Sequence, residues 1–353
     1  MKAELRLSVL AILVAMVIAA CGSGGGGGGG SASSGVATGS FPTFITVDPS
    51  GKFAYVTNWG SGNISGYAIN TTTGALTVGT VVAAGTKPTS ITVGPSGKFA
   101  YAANWGSNNI SVYSINTTTG ALTAVTAVAA GTNPASIEVD PSGKFVFVAN
   151  EGDNTISVYT IHATTGALTV GTAVAAGTNP TFITVDPSGK FAYAANWGSN
   201  NISVYSIDTT TGALTAGTAV AAGTNPTSIT VDPVGKFAYV TNWGSGNISV
   251  YTIHATTGAL TAQTAVAAGT NPASITVDPS GKFAYGANWG SNNISVYAIN
   301  TTTGALTAQT AVAAGTNPTS ITVDPSGRFA YVTNEGDGTV YVYTINTTTG
   351  ALQ

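Results

Sequence analysis

Five tryptophans, Trp59, Trp105, Trp197, Trp243 and Trp289, stand in one context, each followed by Gly-Ser and then by Gly-Asn or Asn-Asn. Indole rings set among amides and hydroxyls suit stacking on sugar rings while the sugar hydroxyls are hydrogen-bonded. These loops are therefore the binding candidates, for a carbohydrate or a protein ligand. The bland role for the same residues is to cover seams between structural units. Glu138, in Ile137-Glu138-Val139, is the other unusual residue, because the corresponding segments carry threonine. A lone carboxylate beside a channel would bind a ligand or cation or take part in catalysis; otherwise channel water solvates it.

Other reactive side chains do not assemble into a site. His162 and His254 replace Asn70 or Asn116 in equivalent turns and lie two units apart, so they read as turn-residue swaps. Arg328 takes the place of a turn lysine such as Lys52 or Lys282. Glu151-Gly152-Asp153 and Glu335-Gly336-Asp337 read as surface variation, since two carboxylates without further ligands hold Ca²⁺ poorly. Cys21 is the single cysteine, which excludes a disulfide framework and a cysteine-rich metal site. No catalytic residue, metal site or cofactor is assigned.

The elements that position these residues follow from a strict period. The turn Asp48-Pro49-Ser50-Gly51-Lys52 recurs with its first residue at Gly94, Asp140, Asp186, Asp232, Asp278 and Asp324, always at an interval of 46. This charged series has hairpin-turn spacing and reads as structural, with Asp accepting turn N–H groups. All 14 prolines obey the period, two per unit. Each unit reads as four short strands; in the second copy, Phe99 and Tyr101 project to one side and Ala100 and Ala102 to the other. Both faces are apolar, so each sheet needs a neighbour on each side. A ring of seven satisfies every face, whereas an open stack leaves two bare ends. The last unit stops at Gly350-Ala351-Leu352-Gln353, while Val36-Ala37-Thr38-Gly39 at the start matches the outer strand end Val82-Ala83-Ala84-Gly85. The N-terminus is thus expected to supply the outer strand of the last blade. The fold class expected is an all-β, seven-bladed β-propeller of four-stranded antiparallel blades over residues 34–353, closed by strand exchange.

Tyr55-Val56-Thr57-Asn58, Tyr239-Val240-Thr241-Asn242 and Tyr331-Val332-Thr333-Asn334 resemble the motif of the YVTN β-propeller repeat family. That family overlaps the lactonase-like seven-bladed propellers, which include 6-phosphogluconolactonases and carboxymuconate cyclases. The resemblance covers residues 34–353 and implies the fold. The cluster of His, Arg and Glu attributed to the cyclase branch has no counterpart here, so no catalytic residue is carried over.

Leu7 to Ala20 is a nearly unbroken apolar run of 14 residues behind Lys2 and Arg6. It is shorter than the ~20 residues of a membrane span and has the form of a signal peptide, residues 1–20. Ile18-Ala19-Ala20-Cys21 resembles a bacterial lipobox, which implies cleavage before Cys21 and lipidation of its thiol. The resemblance, with Gly22 after the cysteine, implies an exported chain anchored to the cell envelope, at the outer membrane in a Gram-negative cell. Residues 21–33 then form the lipidated Cys and a Gly/Ser-rich linker.

Only 7% of residues are charged, against about 25% in ordinary soluble domains, and the net charge is −3. There is no Lys/Arg reservoir for a nucleic acid, and the only membrane contact expected is the lipid anchor. The functional expectation is a non-enzymatic binding or surface scaffold. A lactonase-like enzyme and a surface-layer structural protein are the alternatives.

Overall fold

The computed structural model describes residues 35–353. The expected signal peptide, Cys21 and the whole Gly/Ser-rich linker lie outside the described residues. The rest folds as seven antiparallel sheets arranged as blades. In blade 2 the strands are Pro88–Val93, Phe99–Asn104 and Asn109–Ile115, followed by an outer strand in two pieces, Leu122–Ala124 and Val128–Ala129. Blade 1 keeps its outer strand in one piece, Leu76–Ala83.

The expected alternation of large and small faces sets the packing. Phe53 and Tyr55 of blade 1 lie against Ala100 and Ala102 of blade 2, with Ile64, Ile91 and Tyr113 completing a fully buried cluster. Successive side chains of a strand point to opposite faces, so one strand serves two interfaces. The tyrosine of the repeat motif also carries a polar tie. Tyr55 Oη donates to the Gly120 carbonyl in the next blade at 2.9 Å, and Tyr101 does the same to Gly166 at 3.0 Å. Gly120 has φ +72°, and a Cβ there would meet the Phe53 ring at 2.3 Å, so this turn admits only glycine.

The motif asparagine organises the loops. Asn58, fully buried, accepts from Gly39 N at 3.1 Å and Thr38 Oγ1 at 2.7 Å, and donates to Asn63 Oδ1 and Ser65 Oγ. One side chain therefore fixes both the entry to the inner strand and the following hairpin. At the opposite end, Asp48 Oδ1 accepts the backbone N–H groups of Lys52 and Phe53 at 2.9 and 2.8 Å, as expected for a turn residue.

The ring closes as the repeat phase requires. Val36–Ala37 pairs with the third strand of blade 7, Thr339–Thr344, in the register Val36↔Val340 and Ala37↔Thr339. This is the register of Val128↔Ile110 within blade 2. Leu352, bridged to Ile345, supplies the other piece of that outer strand, so the two ends of the chain share it. Tyr331 Oη reaches the Gly74 carbonyl of blade 1 at 3.1 Å.

Candidate functional site in the central channel

The seven inner strands surround a channel that contains a cavity of about 340 Å³. Each strand runs from a mouth built by the tryptophan loops to a mouth built by the Asp-Pro turns. Two rings of side chains matter.

Nearer the tryptophan mouth stand Phe44, Ser90, Ser136, Phe182, Ser228, Ser274 and Ser320. The serines serve the frame. Ser90, Ser136, Ser274 and Ser320 each accept the isoleucine N–H of the next blade, for example Ile183 N to Ser136 Oγ at 3.3 Å. Phe44 and Phe182 belong to blades 1 and 4, on opposite sides of a seven-membered ring, and their rings meet with centroids 6.1 Å apart. They form an aromatic floor across the channel. Sequence reasoning missed them because it followed polar departures from the repeat. The signal was there, in two phenylalanines at a position otherwise filled by serine.

Two residues further along, about 7 Å at the rise of a strand, stand Thr46, Thr92, Glu138, Thr184, Thr230, Thr276 and Thr322, all on the cavity wall. Glu138 thus does face the channel, half-buried, and its carboxylate has no hydrogen-bond or ionic partner among the described residues. Desolvation pushes its pKa up to about 8. A carboxyl held near neutrality and surrounded by hydroxyls can exchange a proton with a bound molecule, which an ordinary surface carboxylate does poorly. The other lining residues include no Lys, Arg or His.

The tryptophans lie at one mouth, as their spacing implies, but away from Glu138. Trp59 is buried, and the other four are half-buried. Trp59 packs on Trp105 with centroids 5.3 Å apart; Trp243 packs on Trp197 at 6.2 Å and on Trp289 at 5.4 Å. This arrangement covers the seams between blades. Glu151 and Glu335 are not surface variation. Each is only 4% exposed and accepts an indole N–H from the preceding blade, Trp105 Nε1 at 2.9 Å and Trp289 Nε1 at 3.0 Å. Burial raises both pKa values to about 7, with the indole bond acting against the rise.

His162 and His254 sit in exposed turns, each within hydrogen-bond distance of a threonine hydroxyl three residues on. Arg328 does more than replace a lysine, for its Nη2 donates to the Thr71 carbonyl of blade 1 at 2.6 Å. Among the described residues, no three His, Cys, Asp or Glu side chains gather as a metal site.

Fold and channel together define a seven-bladed propeller with one titratable carboxyl in a ring of hydroxyls. The chain belongs to the family described as "Lactonase, 7-bladed beta-propeller", which matches residues 31–185, 171–270 and 261–353. This overturns the expectation of a non-enzymatic binding or surface scaffold. That expectation demanded several unlike catalytic residues, whereas the threonine ring of the channel departs from its repeat at a single carboxyl.

Among solved structures, the chain is similar to a putative 6-phosphogluconolactonase from Bacteroides uniformis, with 23% identity and a TM-score of 0.77, covering 88% of this chain and 93% of that one. It is also similar to the hydrazine synthase of Kuenenia stuttgartiensis, with 22% identity, a TM-score of 0.73, and 90% and 99% of the two chains covered. For the periplasmic gluconolactonase of Pseudomonas aeruginosa the values are 18%, 0.71, 79% and 86%. At these identities the likeness is one of fold. No curated protein matches the sequence.

Proposed function

We propose that the chain hydrolyses a lactone in its central channel, with Glu138 as the general base. The observation that carries this reading is the position of Glu138, the one acid in a ring of threonine hydroxyls on the cavity wall. Family membership and the likeness to a putative 6-phosphogluconolactonase and a periplasmic gluconolactonase support it.

In the reaction, ionised Glu138 accepts a proton from water as the water oxygen bonds to the lactone carbonyl carbon. Threonine hydroxyls donate to the carbonyl oxygen, where negative charge develops. The ring C–O bond then breaks, and the departing alkoxide recovers the proton from Glu138, leaving a hydroxy acid. The Phe44–Phe182 floor packs against the carbon skeleton. A neutral, hydroxylated lactone fits a lining without Lys, Arg or His better than a phosphorylated one does.

The test is hydrolysis of glucono-lactone above its spontaneous rate. Glu138→Gln keeps the size of the side chain and removes the base, so kcat should fall by about 10²–10⁴-fold. In the wild type the rate should rise with pH through about 8, because only the ionised carboxyl acts as base. Unchanged turnover in Glu138→Gln would refute the proposal.

A further inference from the structure

The tryptophan mouth contains the same triad twice. In the first, the rings of Trp59 and Trp105 lie 5.3 Å apart with planes at 42°, and Trp105 donates to Glu151. In the second, Trp243 and Trp289 lie 5.4 Å apart at 40°, and Trp289 donates to Glu335. The pair Trp197–Trp243 is wider, at 6.2 Å and 56°, and does not match.

The residue over the paired rings differs between the two triads. Lys87 reaches over the first, with Nζ 5.0 Å from the Trp59 ring centroid and 5.3 Å from that of Trp105. Both distances are within the range at which an ammonium is attracted to an aromatic face. Asn271 stands at the corresponding place in the second triad, and its side chain donates instead to the Trp243 carbonyl at 3.4 Å. The backbones agree. Lys87 and Asn271 have φ of 55° and 52°, and their carbonyls accept Trp105 N and Trp289 N at 3.0 Å in both cases. The second notch therefore has the ring geometry that holds an ammonium in the first, with no cationic side chain of its own over the rings.

We infer that the Trp243–Trp289 notch, backed by Glu335, binds an external primary ammonium group, for which Lys87 is the built-in counterpart in the first triad. The ligand class is an alkylammonium, free or at the end of a lysine side chain. The site stands on the tryptophan mouth and is independent of the channel chemistry.

The probe is n-butylammonium chloride, which reproduces the end of a lysine side chain. It is titrated into the full chain against sodium chloride of equal ionic strength, with the five indole N–H resonances followed by NMR and assigned through single Trp→Phe variants. In the wild type, the Trp243 and Trp289 resonances should move together along one single-site isotherm, with Kd on the order of 10–100 mM. Asn271→Lys should abolish that response, and Lys87→Asn should make the Trp59 and Trp105 resonances move as well, along a second isotherm of similar affinity. Neither variant asks for a new backbone conformation, since each installs the residue found at the other position. Resonances that respond no more to butylammonium than to sodium overturn the inference. So does a Lys87→Asn variant whose Trp59 and Trp105 resonances stay still, or an Asn271→Lys variant that binds as the wild type does.

Discussion

On the wall of the ring, Tyr55, Tyr101, Tyr193, Tyr239, Tyr285 and Tyr331 make one bond six times, hydroxyl to a glycine carbonyl in the next blade, at 2.9–3.1 Å. In the channel, the corresponding positions disagree. Phe44 and Phe182 interrupt a ring of serines, and Glu138 interrupts a ring of threonines. The wall tolerates few departures because every side chain there packs against the neighbouring blade. The channel residues keep only a single hydrogen bond to the next blade, through serine, and the threonine ring faces open space, so a substitution there changes chemistry while most of the interface survives. In a repeat protein of this kind, the frame lies in what the copies share and the activity in what they do not.

Removing the frame should have the largest effect. Deleting residues 35–38 strips the strand that pairs with Thr339–Thr344, together with the Ala37 carbonyl that accepts Tyr67 Oη at 2.9 Å. The loss should be on the order of 3–5 kcal/mol, or about 6–10 °C in Tm by circular dichroism. An unchanged Tm would mean that closure contributes nothing, and the contrast with the channel would vanish.

Glu138→Thr restores the repeat inside the channel and should have an effect no larger than that, and one that depends on pH. The folded chain holds the Glu138 proton up to about 8, against the ordinary 4.5. As pH rises between these values, the unfolded chain ionises first, and stability falls. The variant escapes this loss. Its Tm should lie nearest that of the wild type around pH 4 and exceed it by up to about 8–10 °C above pH 8, the full effect of a shift from 4.5 to about 8. Glu151 and Glu335 titrate in both proteins and cancel in the difference. A gap that closes with rising pH would show that Glu138 is stabilised as its anion.

Phe182→Ser should change stability least. It forfeits the contact with Phe44 but provides the hydroxyl that Ser136 offers to Ile183 N, here for Ile229 N. These two are worth about 1 kcal/mol each and offset one another, but Phe182 also packs on the cluster around Phe191 and Ile229, so Tm should fall by about 2–4 °C while KM for the lactone rises. A much larger fall in Tm would place this position with the wall.

The frame was legible in the sequence because an interval of 46 survives translation along the chain. Tyr55, Asn58 and Asp48 could be placed by counting, and so could the partner of Val36. Contacts across the channel could not. Phe44 and Phe182 are separated by three whole repeats, and only closure of the ring brings them face to face. Glu138 was visible as an exception, but its lack of any partner on the wall was not. Glu151 and Glu335 were misread because an acid beside glycine looks solvated, whereas the indole N–H that each accepts comes from the neighbouring blade. Lys87 passed unnoticed in a loop whose other copies carry mostly asparagine, for nothing in its own segment announces the two rings beneath it.

The pairing of Val36 with Val340 has a consequence for biosynthesis. Val36–Ala37 has to wait for Thr339–Thr344 to be made. A nascent chain emerging from the ribosome, or threading through a translocon, can stack blade upon blade but has no way to latch until that seventh blade is out. Truncated products should therefore stay unlatched and open to proteases.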